Sequence, residues 1–145
     1  TPKGQQSYKN MSQLCLLNVA YQAVVRENVM NEQLFSLNPM TNPQWGKVAD
    51  ENTPSPPDDL PVLIVQGLTD SVVLPNTTAL LAERYYLAGN PLTLAWLGDV
   101  GHMQAAVIGG PLVNTWLQQR FAGIPATTTR GTSNPVLPAT VQSVE

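Results

Sequence analysis

Asp70 and His102 are the two side chains whose types and positions could do chemistry together. His102 is the chain's only histidine. Each residue follows a short apolar run rich in strand-forming side chains, 62–65 before Asp70 and 92–97 before His102. A carboxylate that accepts a hydrogen bond from one imidazole nitrogen fixes the ring's tautomer and stabilises the imidazolium formed when the other nitrogen takes a proton. Such a pair is suited to general-base catalysis.

The two apolar runs are the expected strands. The run 62–65 is continuous, rich in β-branched residues and bounded by a proline and a glycine, which is typical of a parallel strand buried on both faces of a sheet. The run 92–97 leads into a glycine-containing loop that ends at His102. Parallel strands joined by a crossover have their carboxyl ends at the same edge of the sheet. The loops are therefore expected to bring Asp70 and His102 together.

Two helices are expected around these strands. Residues 77–88 repeat apolar side chains on one helical face, with Asn76 as the expected N-cap and Gly89 as the end. Further on, 109–111 reads Gly-Gly-Pro, which predicts the opening of a helix that Gly123 can end. The expected apolar face of that second helix is Val113, Trp116, Leu117 and Phe121.

The N-terminal part of the chain has a helical pattern. Residues 12–37 place apolar side chains at helical spacing and predict one long helix, or two helices joined near Asn31. Cys15 is expected to lie in this run as a small hydrophobic residue. Two Asn-Pro pairs should break the helix, after which 44–49 could form one short turn.

The stretch 61–103 resembles the end of an α/β-hydrolase, where the acid of a catalytic triad follows one late strand and the histidine follows the next. Residues 61–75, PVLIVQGLTDSVVLP, are similar to the acid loop, and 98–102, GDVGH, are similar to the histidine loop. Within that group the chain most resembles the secretory lipases, microbial enzymes similar to fungal type A lipase, and 51–54, ENTP, adds to the resemblance.

The resemblance implies an α/β fold in four segments, the C-terminal part of an α/β-hydrolase preceded by a helical cap. Residues 1–50 would be the helical cap-like segment and 51–60 a proline-rich linker. Residues 61–125 would be the C-terminal strands and helices of the hydrolase core, and 126–145 an extended tail. An apolar stripe at helical spacing occurs about as often in an ordinary hydrophobic core as at a substrate site. The alternative to a cap is therefore that these helices are ordinary core helices.

The implied function is a carboxylic ester hydrolase, a lipase or esterase acting by Ser-His-Asp acyl transfer on an ester or lipid. Asp70 would be the acid and His102 the base, and the location would be secreted or extracytoplasmic. None of the chain's serines lies in the GxSxG pattern of this family. Ser71 is a poor nucleophile candidate because it adjoins the acid, and Cys15 lies in an apolar run.

The expected nucleophile therefore lies on a missing N-terminal portion, and this chain alone should be inactive. The expected partner is that portion or a second copy of the chain. An alternative remains open: the chain could be a non-catalytic, hydrolase-like binding module that pairs with a partner chain. The two hypotheses differ in whether a GxSxG lies upstream of Thr1 in the parent reading frame.

Other interpretations have weaker support. Asp70 could be only a turn residue and His102 an incidental polar residue, but each matches a family loop. Asp99 is the rival acid, although it is close in sequence to His102, and Asp58 and Asp59 precede a strand. A metal site needs about three or four well-spaced ligands, which the sequence lacks, and no phosphate-binding loop occurs. No cofactor is expected.

Composition excludes further classes of function. The net charge is −3 with no cluster of basic residues, so nucleic acid is not an expected partner. A single cysteine cannot form an internal disulfide. No apolar run approaches the length of a membrane span.

Overall fold

The computed structural model describes residues 1–15, 35–57 and 59–140. The chain divides into two compact units, 1–53 and 54–143. The first unit carries helices in its described part, and the second contains the sheet and both candidate catalytic residues.

The first unit begins with helix α1, Pro2–Met11. Thr1 caps it, because its hydroxyl oxygen accepts a hydrogen bond from the backbone N–H of Gly4 at 2.9 Å. After a single 3₁₀ turn at Pro39–Thr41, helix α2 spans Pro43–Glu51. Both α-helices have proline in the first turn, where its missing N–H costs no hydrogen bond.

The helix predicted over 12–37 is not present in the parts of that range that the structure describes. The chain leaves α1 at Ser12, whose hydroxyl donates to the carbonyl of Lys9, and turns through Cys15. The remainder of the prediction, 16–34, lies outside the described residues. Cys15 is exposed and non-helical, so its assignment to an apolar helical run is wrong.

The short turn predicted at 44–49 is instead the nine-residue helix α2. Its start is set by Asn42, whose side-chain oxygen accepts from the backbone N–H groups of Gln44 (2.9 Å) and Trp45 (3.3 Å). The pair Asn42-Pro43 is therefore an N-cap followed by a first-turn proline, and it begins a helix rather than only ending one. Irregular backbone follows from Thr53.

The second unit contains the predicted strand–helix–strand unit. Strand β1, Val62–Gly67, and strand β2, Leu92–Leu97, pair in parallel, with Val62 opposite Leu92 and Gly67 opposite Leu97. Helix α3, Pro75–Leu87, connects them, and helix α4, His102–Phe121, follows β2. Both strands therefore end at the same edge of the sheet.

The two faces of this sheet are covered by different helices. Alternate strand residues face α3 because successive side chains of a strand point to opposite sides. The core on that side consists of Ala82, Tyr85, Leu92 and Leu94, with Val62, Ile64, Leu81, Tyr86 and Trp96 packed against it. On the other face, α4 approaches through Gly109, next to Val65 and Leu97. The sheet is covered on both sides as predicted, although most of β1 is half-buried rather than fully buried.

The start of α3 differs from the prediction. The helix begins at Pro75, with Leu74 as an N-cap that makes no side-chain cap bond, so Asn76 lies inside the first turn. A proline at the first helical position is preorganised for the helix and sets the start earlier than a capping asparagine would. The predicted end is confirmed: Gly89 has φ of +81°, and its N–H donates to the carbonyl of Tyr86.

The start of α4 also differs. The helix begins at His102 and contains Pro111, so the predicted opening at 109–111 is wrong. Gly109 is needed for helix packing instead, since a Cβ there would lie 2.9 Å from Cγ1 of Val65. Gly110, which precedes Pro111, has no Cβ to clash with the proline ring, and this removes one of the two contacts that disfavour a helix before proline.

The end of α4 follows the prediction, and its apolar face does so only in part. Gly123, with φ of +73°, ends the helix. The indole N–H of Trp116 donates to the hydroxyl of Thr93 on β2 at 3.4 Å. Phe121, by contrast, is 87% exposed.

The predicted extended tail is present only in part. Residues 127–129 lie along the outer edge of β2, the chain turns at Arg130 and Gly131, and the N–H of Ala139 then donates to the carbonyl of Asn76 in the first turn of α3 at 2.9 Å. The N–H of Thr129 donates to the carbonyl of Leu92 at 3.0 Å, and its hydroxyl accepts from the N–H of Leu94 at 2.8 Å. The hydroxyl of Thr93 donates to the carbonyl of Thr127 at 2.6 Å. In the described chain, β1 pairs only with β2, so its other edge is open.

Candidate active site

The structure brings Asp70 and His102 into contact. Nδ1 of His102 lies 2.9 Å from Oδ2 of Asp70. Asp70 is in the turn after β1, and His102 is the first residue of α4, just past the loop that follows β2. The carboxylate side chain is 5% exposed and the imidazole is 42% exposed. The acid is therefore inside the protein and the base is at its surface.

Direct contacts between the two loops position this pair. The N–H of Leu68 donates to the carbonyl of Leu97 at 2.9 Å, and the N–H of Thr69 donates to the carbonyl of Val100 at 3.2 Å. Gly67 permits this approach, because a Cβ at that position would lie 2.1 Å from the carbonyl oxygen of Val100. Only a residue without a side chain fits there.

The start of α4 fixes the position of His102. Gly101 is the N-cap residue, with extended backbone. The side-chain oxygen of Gln104 accepts from the N–H of Gly101 at 3.3 Å, which is one half of a capping box. The histidine consequently leaves the chain at a defined point, the first position of the helix.

The carboxylate of Asp70 accepts hydrogen bonds on both oxygens. Its Oδ1 accepts from the backbone N–H groups of Val72 (2.8 Å) and Val73 (3.0 Å), as is typical of an aspartate that closes a turn. Its Oδ2 is shared by Nδ1 of His102 and by Nε2 of Gln66, which is 3.3 Å away. A carboxylate has about four acceptor sites, so these donors saturate it.

These contacts decide the charge of the acid. Burial raises the pKa of the Asp70 carboxyl, but the hydrogen bonds from His102, Val72 and Val73 and the charge of a protonated imidazole lower it further than burial raises it. The net effect is a pKa below the usual value, so the group is a carboxylate at neutral pH. A carboxylate only accepts hydrogen bonds, so it favours the imidazole tautomer with the proton on Nδ1. The lone pair on Nε2 is then free to accept a proton.

The rival residues are placed elsewhere. Asp99 is exposed, with φ of +51°, and the hydrogen bond of His102 goes to Asp70 instead. Asp59 is exposed ahead of β1, and Asp58 lies outside the described residues. Ser71 is exposed in the acid's own turn.

The described ranges carry neither a metal cluster nor a membrane-spanning helix. Within them, no three histidine, cysteine, aspartate or glutamate side chains cluster as a metal site would require. No helix among residues 1–15, 35–57 and 59–140 has the length and apolar character to cross a bilayer.

Two clefts of the second unit lie away from the pair. One, of about 250 Å³, lies between α3, β2 and the tail and includes Tyr86 and Thr129. The other, of about 400 Å³, lies between β2 and α4 and includes Thr93 and Trp116. Neither is lined by the acid or the histidine, so neither is assigned to the chemistry.

Sequence reasoning missed the residues that support Asp70. Gln66 and Gly67 end β1, and Gln66 is 5% exposed. Strand alternation puts Gln66 on the same face as Val62 and Ile64. A polar side chain at a position expected to be buried must have hydrogen-bond partners, and that rule could have identified it.

The model of one protein family, described as secretory lipase, matches residues 1–129 of the chain. The chain belongs to the secretory lipase family. Comparisons with curated proteins and with solved structures find no match. Secretory lipases are hydrolases of the α/β-hydrolase fold, and the parallel pair β1–β2 with a helix on each face is compatible with that fold. The resemblance inferred from the two loops is thereby confirmed.

Proposed function

We propose that this chain supplies the acid and the general base of a secreted carboxylic ester hydrolase of the lipase or esterase type. The observation that carries the proposal is the 2.9 Å contact between Asp70 and His102 in a member of this family. The acid is buried and saturated with donors, and the base is exposed beside it. This is the arrangement that general-base activation of a serine requires.

In the proposed reaction, a serine hydroxyl oxygen attacks the carbonyl carbon of the ester while Nε2 of His102 takes the hydroxyl proton. The proton then passes from Nε2 to the oxygen of the departing alcohol, which leaves an acyl-enzyme. A water molecule attacks the acyl carbon, giving its proton to Nε2, and the serine oxygen recovers that proton as the carboxylic acid departs. Asp70 remains ionised throughout and stabilises the imidazolium.

The proposal assigns the serine and the oxyanion donors to residues outside these 145. Seven serines are present and none stands in a GxSxG. The open edge of β1 supports this assignment, because unpaired backbone groups along a strand can receive another strand. The second unit would then be the C-terminal part of the core, and 1–50 a cap-like segment. A second copy of the chain could occupy the same edge.

The experiment is complementation. The 145-residue chain alone should hydrolyse a short p-nitrophenyl ester no faster than a control protein of similar size. Adding the portion of the parent protein that carries GxSxG, or using the full-length protein, should give activity. His102→Ala should abolish it, and Asp70→Asn should lower kcat by about 10⁴-fold. Asp99→Asn is the matched control, because Asp99 is exposed in the histidine loop, and should retain activity.

Three outcomes would contradict the proposal. Activity retained by His102→Ala in the complete enzyme would reject the assigned base. Rapid turnover by the 145-residue chain alone would show that it holds its own nucleophile, with Ser71 the first to replace. Stable pairing with the other portion but no ester hydrolysis by the pair would support the alternative, a non-catalytic binding module.

A further inference from the structure

We propose that Gln66 is a positioning residue that holds the carboxylate of Asp70 against His102. The inference rests on the proposed function, since it names a residue that supports the same acid. Gln66 does not touch His102 or the reacting atoms. It acts through the turn that carries Asp70.

The amide nitrogen of Gln66 faces three oxygen acceptors. Its Nε2 lies 3.0 Å from the carbonyl oxygen of Gly67, 3.1 Å from that of Val73 and 3.3 Å from Oδ2 of Asp70. A primary amide has two N–H groups, so the three acceptors share two hydrogens. The amide therefore connects both ends of the turn, at Gly67 and Val73, to the carboxylate between them.

The amide has only one acceptable orientation. Its oxygen accepts a hydrogen bond from the hydroxyl of Thr78 on α3 at 2.6 Å. A flipped amide would place its oxygen against two carbonyl oxygens and a carboxylate, which are all acceptors. Gln66 and Thr78 are 5% and 6% exposed, so water cannot relieve such a mismatch. The orientation is fixed by chemistry as well as by packing.

This arrangement gives the carboxylate a defined direction. Oδ1 is held by the backbone of Val72 and Val73, and Oδ2 is held by Gln66 on one side and His102 on the other. Without the amide, Oδ2 keeps only the imidazole as a partner and the turn loses a link across its two ends. The imidazole would then be held less firmly in the Nδ1–H tautomer.

The test reads the tautomer of His102 directly by ¹⁵N NMR of the ring. Because the chain has one histidine, the ring signals need no assignment. At alkaline pH, where imidazole is neutral, the wild-type chain should show a protonated Nδ1 and an unprotonated Nε2. Gln66→Met keeps the length of the side chain and removes the amide. It should lower the ratio of the Nδ1–H to the Nε2–H tautomer by up to about tenfold, because the lost bond is made to Asp70 and the full effect of one hydrogen bond to a charged group is the most that can reach the imidazole.

Ile64→Ala is the matched control. Ile64 lies on the same strand and face as Gln66 and packs against the core, so its truncation should destabilise β1 while leaving the hydrogen bonds of the Asp70 turn in place. Its tautomer ratio should equal that of the wild type. An equal loss in Ile64→Ala, or a wild-type ratio in a folded Gln66→Met chain, would overturn the proposal.

A second variant covers the case in which Gln66→Met does not fold, as judged by circular dichroism. Thr78→Val removes only the hydroxyl that orients the amide, and it should lower the tautomer ratio in the same direction by a smaller factor. An unchanged ratio in Thr78→Val would then overturn the proposal. The NMR measurement does not require the nucleophile. Absence of ester hydrolysis on complementation would therefore reject only the proposed function, whereas an unchanged tautomer ratio of His102 would reject only the role of Gln66.

Discussion

Replacing Gly67 by alanine should separate the two loops that bring Asp70 and His102 together. The added Cβ would lie 2.1 Å from the carbonyl oxygen and 2.8 Å from the carbonyl carbon of Val100. Backbone atoms cannot rotate out of the way as the end of a side chain can. The histidine loop must therefore move away from the end of β1.

The size of the effect follows from the contacts that this movement breaks. Overpacking of a close contact costs about 1–3 kcal/mol. The loop-to-loop hydrogen bond from Thr69 to Val100 lies at the same point, and its loss adds about 1 kcal/mol. A total of about 3 kcal/mol corresponds to a fall in Tm of roughly 12–24 °C for a unit of this size.

The assay is thermal unfolding followed by circular dichroism, with Gly98→Ala as the control. Gly98 lies in the histidine loop, and an added Cβ there would meet nothing within 4 Å. Gly98→Ala should change the free energy of unfolding by no more than about 0.5 kcal/mol. Equal melting temperatures for the two variants would refute the argument that close backbone approach at Gly67 positions the pair.

Three further predictions use the same unit. Gly109→Ala should lower the free energy of unfolding in urea by about 1 kcal/mol, although alanine has the better helix propensity, because the added Cβ meets Val65. The double variant with Val65→Ala should lose less stability than the sum of the two single variants. The pKa of the Asp70 carboxyl is lower in the folded chain than its ordinary value. The ionised carboxylate therefore stabilises the fold at pH values above the ordinary carboxyl pKa, and this stabilisation disappears as the pH falls through the folded-state pKa. Asp70→Asn should therefore reduce the loss of stability in acid, measured as urea midpoints between pH 7 and about pH 2. Thr129→Val should cost about 1–2 kcal/mol by the same measurement, because a β2 backbone N–H loses its partner, and an unchanged midpoint would contradict the contact.

The pairing of Asp70 with His102 could be predicted because it depends on local patterns. An apolar run, a turn and a helical repeat are each visible in the sequence. Because parallel strands joined by a crossover end at one edge of the sheet, these patterns together predict that the loops after β1 and β2 meet. The geometry agrees with that expectation at 2.9 Å. The catalytic role assigned to the pair is a separate matter, which the complementation experiment addresses.

Helix starts were harder to predict because one residue type can either cap a helix or allow a close contact between a helix and the sheet. Asn76 has the side chain of a cap, but the proline before it already begins α3. The proline of Gly109-Gly110-Pro111 is typical of a helix opening, yet here it lies inside α4, and the missing side chain of Gly109 allows the contact with Val65. Gln66 bonds to Gly67, Asp70, Val73 and Thr78, which are at most 12 residues away, but apolar periodicity does not show that the turn brings these groups back to its amide.

The tail along β2 determines how this sheet can grow. Thr127 and Thr129 occupy hydrogen-bonding positions at the start of the outer edge of β2, whereas β1 keeps its outer edge open in the described chain. Among the described residues, nothing competes with a strand that adds to β1, whereas a strand that adds to β2 must displace the tail. A further strand is therefore expected to add at the β1 edge of the sheet and not at the β2 edge. Two copies that join through β1 would form a closed pair with a tail at each end, and a continuous fibre would require the tails to detach first.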